Sequence, residues 1–249
     1  MPNPWDQGSA RLLQGLGFQA LATTSSGLAY TLGRMDGEVS LNESLQHCAE
    51  LAAVTDVAIN ADLENGFADD PGSVAENVVK AAATGIAGCS IEDYCSKLDR
   101  IYDFDMAVER VQAAAEALAL LEGPVLLTAR AENLLHGVHE LDDTIRRLQA
   151  FEAAGADVLY APGISTLDQL QRVTSELGKP FNVLAPFVPE AGIEQLAAAG
   201  ARRISVGGAL NWAAVNTVIT AGREMLADGT FNWTSRMAHS DLVKSLLGR

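Results

Sequence analysis

DVAINADLENGFADDPGSVAENVVKAAATGIAGCSIED, residues 56–93, contains two short apolar runs with one amphipathic stretch between them. The first run, Val57–Ile59, leads into an acid-rich segment that breaks at Gly66 before a Pro-Gly turn. Residues 72–85 then place Val and Ala at helical spacing, and GCSIE at 88–92 forms the second run. A short strand, a helix of this length and another short strand predict a parallel βαβ unit.

The same alternation extends in both directions from this unit. The amphipathic stretches open on capping boxes such as Ser40-x-x-Glu43 and Ser73-x-x-Glu76, and several of them close on glycine. The short apolar runs are QALAT (19–23), DVAIN (56–60), GCSIE (88–92), VLLTA (125–129), DVLYA (157–161), FNVLA (181–185) and RISVG (203–207).

This repeat predicts an α/β fold, a (β/α)8 TIM barrel, in a chain of 249 residues. A doubly wound open sheet is the alternative, but the sequence has no GxGxxG turn. Seven strands are visible, and MPNP at the start supplies only the end of a first one. Either residues are missing upstream or the barrel closes imperfectly.

Two regions are expected along the chain. Residues 1–230 form the barrel, and residues 231–249 form an extra C-terminal helical extension. The extension either packs on its own barrel or is swapped between subunits, where its apolar residues would seal an oligomer contact.

The composition of the chain argues against several classes of binding partner. The net charge of −15 argues against nucleic acid and anionic membranes, which both require a basic surface. The apolar runs are far shorter than the ~18 residues of a membrane span. Three cysteines without CxxC spacing fit free thiols in a reducing cytoplasm. A small anionic substrate remains compatible, because one well-placed arginine can override the average charge locally.

Acidic side chains collect where the predicted strands end, which is where barrel enzymes place their chemistry. Carboxylates crowded in one cavity repel each other unless protons or a cation neutralise them, and hard oxygen ligands suit Mg²⁺. The alternative is that these acids are solvated loop residues and helix N-caps. The acids at the strand ends include Asp36, Asp62, Glu64, Glu92 and Asp93.

Three other features of these ends point to anion binding. Arg130 follows VLLTA, and its planar fork suits a carboxylate or phosphonate, although an internal ion pair with Glu132 or Glu92 is the alternative. The TSSGL segment (24–28) is either an anion nest or an ordinary turn. SVGG (205–208) is either a phosphate-binding turn or a site of close packing.

Other chemistries are disfavoured. None of the four lysines ends a predicted strand, so a Schiff-base aldolase is unsupported. The four histidines include no HExxH motif and no facing pair, so a zinc hydrolase is unsupported. His47 lies in the middle of a predicted helix and is expected to be structural.

Four motifs in order carry a family resemblance: NPWDQGSARLLQGLGFQALATTSSGLA (3–29), ADLENGF (61–67), SIEDY (90–94) and TARAENLLHG (128–137). Together they resemble the isocitrate lyase / phosphoenolpyruvate mutase superfamily over nearly the whole chain. The similarity is greatest to its phosphoenolpyruvate phosphonomutase-like, carboxyvinyl-carboxyphosphonate phosphorylmutase-like branch. The resemblance implies a (β/α)8 barrel, homodimers or homotetramers with a swapped last helix, Mg²⁺ and a pyruvate-like enolate.

The resemblance also implies roles for individual residues. Asn60 and Asp62 match the paired aspartates of the metal motif, and Glu92 matches an acid that binds metal water. The remaining matches are Ser26, Gly27 and Leu28 for the substrate's oxygens, Asp36 near the metal and Arg130 for the substrate. Glu64 is a further candidate metal ligand and Asn182 a further substrate contact, both from their places at strand ends.

Two departures from the family pattern matter. The first metal aspartate is replaced by Asn60, whose amide oxygen binds Mg²⁺ more weakly than a carboxylate. The loop after Glu92 is short and lacks the lyases' Lys-Lys-Cys-Gly-His motif, although it contains Cys95 and Lys97. This argues against a typical isocitrate or methylisocitrate lyase, and the mutase's own loop residues are not clearly matched either.

The resulting hypothesis is an Mg²⁺-dependent lyase or phosphonomutase-like enzyme. It would break a C–C or P–C bond of an oxaloacetate-, phosphonopyruvate- or malate-like acid through a pyruvate enolate, with Arg130, Glu92 and Asp36 as catalytic residues. The alternatives are a non-catalytic relative that binds keto acids and an unrelated phosphate-binding barrel isomerase.

Overall fold

The fold is a parallel β-barrel surrounded by helices, as seen in a computed structural model that describes residues 1–248. Arg249, the last residue of the expected extension, lies outside the described residues. The strands are β1 (Ala20–Ala22), β2 (Ala58–Asp62), β3 (Gly88–Glu92), β4 (Tyr94–Cys95), β5 (Arg100–Ile101), β6 (Leu126–Arg130), β7 (Val158–Tyr160), β8 (Phe181–Leu184) and β9 (Ala201–Ser205).

Ten α-helices and two short 3₁₀ turns accompany these strands within residues 1–248. The 3₁₀ turns are Ala185–Phe187 and Asn232–Arg236. The helices are α1 (Gln7–Gly15), α2 (Ser25–Thr31), α3 (Leu41–Val54), α4 (Pro71–Ala82), α5 (Phe104–Ala119), α6 (Leu141–Ala153), α7 (Leu167–Ser175), α8 (Ile193–Ala198), α9 (Ala209–Ala227) and α10 (Ser240–Leu247).

The main sheet confirms the predicted barrel architecture. Its seven strands run in the order β1-β2-β3-β6-β7-β8-β9, and every neighbouring pair is parallel. The two remaining strands, β4 and β5, form a small antiparallel hairpin beyond β3. All seven predicted runs are therefore strands of one sheet, and their carboxyl ends meet at one face.

The N-terminal segment lies between β1 and β9, where an eighth strand is expected. Ala22 N donates to Pro2 O over 3.0 Å, and the Met1 ammonium donates to Ile204 O over 2.6 Å. The Asn3 amide side chain adds a bond to each side, donating to Thr23 O and accepting from Val206 N, both at 3.0 Å. The Asn3 side chain thus supplies hydrogen bonds to both neighbours where a backbone ladder is expected.

One predicted detail of the βαβ unit, the cap of its helix, differs from the structure. Helix α4 is capped by Asp70, which accepts from Ser73 N over 2.8 Å, and not by a Ser73–Glu76 box. Pro71 at the first helical position explains this, because it lacks the N–H that the helix start leaves unpaired. The Ser40–Glu43 capping box of α3 is confirmed.

Apolar side chains fill the space between the strands and the helices. The largest fully buried ones include Phe151, Phe181 and Leu127. All three cysteines, Cys48, Cys89 and Cys95, are free and buried in this core, and burial raises the pKa of Cys48 and of Cys89 to about 12. No helix among the described residues has the length and apolar character needed to cross a membrane.

The C-terminal helix α10 packs on α1 of the same chain. The Arg11 guanidinium donates to Leu247 O. The backbones approach so closely that a Cβ on Gly15 would lie 2.3 Å from Leu246 O. Within one chain, α10 therefore packs on its own barrel; exchange of this helix between subunits stays a prediction.

Candidate active site

A cavity of about 190 Å³ opens at the carboxyl ends of the barrel strands. Its volume is below the roughly 300–1,000 Å³ of sites for drug-sized ligands, which limits the occupant to a small molecule. Most of the predicted site residues lie together here. The predicted residues that line the cavity are Ser26, Asp36, Asn60, Asp62, Arg130 and Asn182.

Arg130, at the end of β6, is surrounded by carboxylates. Its Nη1 lies 3.0 Å from Asp62 Oδ1, its Nη2 3.0 Å from Glu92 Oε2 and its Nε 2.8 Å from Glu132 Oε1. The parallel register makes this arrangement, because Glu92 on β3 is the direct partner of Arg130 on β6. The internal ion pair expected as an alternative is thus present, while the arginine also lines the cavity.

The acids around the mouth of the cavity, here called the rim, outnumber the one guanidinium that contacts them. They are Asp36, Asp62, Glu64 and Glu92. Burial raises the pKa of Glu92 well above its ordinary value although Arg130 opposes the shift. Burial, and next the charge of Asp62, raises the pKa of Glu64 to about 8 and also raises that of Asp36. The rim therefore gathers more acids than one guanidinium balances, and in this poorly solvated place raised pKa values keep protons on some of them unless a further cation is present.

Asn60 lies two residues before the end of β2, about 7 Å deeper along the strand than Asp62. Its Nδ2 donates to Ala61 O over 3.2 Å, and its Oδ1 is 3.4 Å from Nη1 of Arg203. Gly88 on the neighbouring strand leaves room for this side chain, since a Cβ there would lie 3.2 Å from Asn60 Oδ1. The oxygen predicted to bind a metal thus accepts from an arginine.

The sequence analysis did not identify Arg203 as a site residue. It lies in the middle of β9, whose alternation directs Arg203 and Ser205 to the interior, where both line the cavity. Only strand ends were considered, so an inward-facing residue before the end was missed. Two asparagines on inward positions of other strands, Asn60 and Asn182, were the available signal of a buried polar layer.

The other predicted site residues do not line the cavity; they are Gly27, Leu28, Glu64 and Glu92. The TSSGL segment is the first turn of α2, capped by Thr24, rather than a free turn. Gly27 is needed for packing, because a Cβ there would lie 2.6 Å from Thr24 Cγ2, and Leu28 belongs to a small apolar cluster. Glu92 is connected to the cavity only by its ion pair with Arg130, which lines it.

The two glycines of SVGG line the cavity, and close packing accounts for the second one. A Cβ on Gly208 would lie 2.6 Å from Ser26 Oγ and 3.1 Å from Trp212 Nε1. Gly207 has a φ of 53°, which favours glycine. The segment therefore brings backbone close to Ser26.

The short loop after Glu92 is the β4–β5 hairpin. Tyr94 stacks on His136 with ring centroids 3.4 Å apart, and its hydroxyl donates to Asp99 over 2.7 Å. Cys95 is 1 % exposed, with its sulfur 3.6 Å from Asp69 Oδ1. This cysteine is thus part of the core rather than a group that faces the cavity.

Comparison with known proteins identifies the family. The model of the phosphoenolpyruvate phosphomutase family matches residues 1–226. The chain belongs to the phosphoenolpyruvate phosphomutase family. The resemblance stated from four motifs is therefore confirmed, and an unrelated phosphate-binding isomerase loses its support.

Relatives of this phosphomutase-family chain are enzymes. A solved structure of a candidate lyase/mutase from Burkholderia cenocepacia J2315 is 46 % identical, with a TM-score of 0.94 over 100 % of this chain and 90 % of its own. An oxaloacetate decarboxylase of Ectopseudomonas mendocina (strain ymp) is 28 % identical over 88 % of this chain and 77 % of its own length. Lyases, decarboxylases and mutases among these relatives support an enzymatic role for this chain.

Mg²⁺ occurs in one protein of the same fold. The structure of a phosphonopyruvate hydrolase in complex with oxalate and Mg²⁺ has a TM-score of 0.85 at 20 % identity, covering 99 % of this chain and 89 % of its own. Within residues 1–248 of the present chain, no group of three Asp, Glu, His or Cys side chains lies close enough together to hold a metal ion.

Proposed function

We propose that the chain is a carbon–carbon lyase that cleaves a small keto or hydroxy dicarboxylate, such as oxaloacetate or an alkylated malate, through a pyruvate-like enolate. The observation that carries the proposal is the charge arrangement of the cavity. Two arginines, Arg130 and Arg203, line a cavity of about 190 Å³ at the catalytic end of the barrel. Such a cavity fits a small acid, because each guanidinium can bind a carboxylate.

Arg130 has the donors that this role needs. A guanidinium carries five N–H groups, and the three contacts to Asp62, Glu92 and Glu132 leave two of them for a substrate. The carboxylates fix the orientation of the fork, so its remaining donors would bind a substrate without reorganisation of the side chain. Arg130 would therefore bind a substrate oxygen at the rim.

Ser26 is suited to the developing enolate. When the C–C bond to the departing carboxylate of oxaloacetate breaks, CO₂ leaves, the electron pair of that bond forms the C=C bond of the enolate, and the carbonyl oxygen becomes negative. The Ser26 hydroxyl lines the cavity and lies 3.1 Å from Thr24 Oγ1, which holds it in place. It would donate a hydrogen bond to that oxygen.

The acids of the rim are candidate ligands for a divalent cation, although within residues 1–248 they are not gathered as a metal site. Asp36, Asp62, Glu64 and Glu92 supply hard oxygen donors, and Arg130 alone does not balance their charge. We propose that these four carboxylates hold Mg²⁺ directly or through water. When bound, Mg²⁺ would act as a Lewis acid towards the substrate's oxygens. Asn60 is left out of this set, because its oxygen faces the cation of Arg203.

Phosphonomutase or P–C cleavage is the second candidate. The family model favours it by name. A C–C lyase step requires fewer groups over the substrate, and the β4–β5 hairpin offers few, since Cys95 is buried. We therefore rank C–C cleavage first.

The test is release of pyruvate-like products, followed with lactate dehydrogenase, with and without Mg²⁺. The substrates are oxaloacetate, phosphonopyruvate, alkylated malates, isocitrate and methylisocitrate, each with a blank that lacks the protein. We expect Mg²⁺-dependent turnover of one of them and a loss of at least about 100-fold in kcat/KM for Arg130→Ala, as for removal of an oxyanion donor.

Two controls separate catalysis from folding. Arg146→Ala removes an exposed arginine whose side chain is 63 % accessible, and it should leave turnover unchanged. Arg130→Lys keeps a cation among the three carboxylates, and it should fold while losing most of the activity. Silence over the whole panel, with phosphonopyruvate also checked for conversion to phosphoenolpyruvate, would favour a non-catalytic keto-acid binder.

A further inference from the structure

Arg203 is a cation inside the barrel whose hydrogen-bond partners within residues 1–248 are all uncharged. Its Nε donates to Asn182 Oδ1 over 3.0 Å, its Nη2 to Thr128 Oγ1 over 2.8 Å and its Nη1 to Asn60 Oδ1 over 3.4 Å. Among residues 1–248 it forms no ion pair within 4.0 Å, whereas Arg130 forms three. Two arginines of one cavity thus have opposite surroundings.

The charge of Arg203 is not balanced by the chain. Burial lowers its pKa to about 10, so the guanidinium remains protonated at neutral pH. A buried charge without a counter-charge is unfavourable, and proteins normally pair it. The surroundings position this cation and leave its charge uncompensated.

The cavity provides the space for an external anion beside Arg203. Arg203, Asn60, Asn182 and Ser205 all line it. The Asn182 amide is fixed at both ends, because its Nδ2 donates to Ser205 Oγ over 3.0 Å while its Oδ1 accepts from Arg203. Three of the five N–H groups of Arg203 are used by the protein, so two remain for a ligand.

We propose that Arg203 is the anion-binding residue deep in the cavity, where it binds one carboxylate of a small dicarboxylate. This assignment rests on the proposed function for the identity of the natural ligand, but the binding of an anion can be measured without turnover. Arg130 would then bind the other end of the same molecule near the rim, where the acids lie.

The assignment gives Asn60 a different role from the metal ligand that its sequence position suggests. A carboxylate at position 60 would form an ion pair with Arg203 and neutralise it. The amide oxygen instead accepts one hydrogen bond and leaves the positive charge available. Asn60, Thr128 and Asn182 are therefore positioning residues that orient the guanidinium.

The experiment is calorimetric titration with oxalate in the presence of EDTA, so that no divalent cation contributes. We expect the full-length wild-type chain to bind oxalate, and Arg203→Gln to weaken binding by on the order of 30-fold or more, as for loss of one partner of a buried charge pair. Arg203→Lys keeps the charge without the fork, and it should lie between the two.

The neighbouring arginine is a matched control. Arg202 is exposed on the outer face of the same strand and donates to Ala197 O and Ala201 O, so Arg202→Gln should bind oxalate like the wild type. Thermal unfolding gives a second measurement. Without oxalate, Arg203→Gln should melt no lower than the wild type; with oxalate, the melting temperature should rise for the wild type and Arg202→Gln alone.

The possible results separate the two proposals. Equal oxalate affinity of wild type and Arg203→Gln, or no binding to the wild type, would overturn the assignment of Arg203 whether or not the chain turns over a substrate. Arg203-dependent binding of oxalate without turnover of any substrate would uphold the anion site and reject the lyase. If a substrate is found, Arg203→Gln should raise KM more than it lowers kcat, because the contact persists through the reaction.

Discussion

One buried histidine, His47, should affect how the stability of this protein depends on pH. His47 lies in α3 with 6 % of its surface exposed, and its Nε2 has no hydrogen-bond partner within residues 1–248. Burial lowers its pKa below 6.5, although Glu50 and Asp6 act in the opposite direction. The imidazole is thus held neutral, in line with the structural role expected from its mid-helix position.

Replacement of His47 by Gln should change the pH dependence of stability. The unfolded chain protonates this histidine below about pH 6.5 while the folded chain does not, so acid favours unfolding. Between pH 7.5 and 5.5 the wild type should lose free energy of unfolding relative to His47→Gln, by at most about 1.4 kcal/mol per pH unit. Urea unfolding at several pH values measures this difference.

The exposed His139 offers the comparison for this prediction. His139→Gln should keep the wild-type pH dependence. Parallel curves for wild type and His47→Gln would mean that His47 titrates alike in both states, which would contradict the role of burial.

Residues at the ends of the strands could be predicted from the sequence, but residues deeper in the cavity could not. Asp62 and Arg130 were foreseeable, because a polar residue at the end of an apolar run marks the catalytic face of a barrel. Arg203 was not foreseeable, because its role depends on which side chains face it from β2, β6 and β8. Contacts across a barrel are set by strand register and are absent from local sequence patterns.

Among the elements, α10 packs on α1 through a close backbone contact at Gly15 and a hydrogen bond from Arg11. A Cβ on Gly15 would lie 2.3 Å from Leu246 O, so Gly15→Ala should force α10 away from α1. We expect faster amide hydrogen exchange over residues 240–247 in this variant, with the barrel strands unchanged.

Gly222 in α9 is the matched control, because a Cβ there meets no atom within 4 Å. Gly222→Ala should leave exchange in α10 as it is and should raise stability by up to about 1 kcal/mol through helix propensity. Unchanged exchange in Gly15→Ala would show that α10 accommodates the methyl group or is held elsewhere.

Element boundaries show where local patterns suffice. The strand GCSIE was predicted at its observed bounds, 88–92, because it is apolar and covered on both faces. Strand β2 instead runs to Asp62, two residues beyond the predicted end. Asp62 N donates to Thr23 Oγ1 over 2.7 Å, and this contact with the residue that follows β1 supports the extension of β2 into its polar residues.

For the whole molecule, the last third of the chain leaves much apolar surface exposed. Val218 and Leu226 on α9 are 66 % and 91 % exposed, and Phe231 beyond it is 60 % exposed. Exposed apolar surface of this extent is typical of contacts between chains. It agrees with the predicted homodimer or homotetramer, which stays a prediction.

We expect the wild-type chain, 26.2 kDa as a monomer, to elute as an oligomer in size-exclusion chromatography with light scattering. The double variant Val218→Asp/Leu226→Asp should shift it towards the monomer mass, since charges on a buried contact are costly. Leu120→Asp, at an exposed position after α5, should not. A monomeric wild type would leave this surface without a role in self-association.

The burial of all three cysteines has a practical consequence. Cys48, Cys89 and Cys95 lie in the core, out of reach of alkylating reagents as long as the barrel is closed. Each one becomes reactive only when its own part of the fold opens. Pulse labelling followed by mass spectrometry would therefore time the opening of α3, β3 and the β4–β5 hairpin separately, in the natural chain and without any introduced probe.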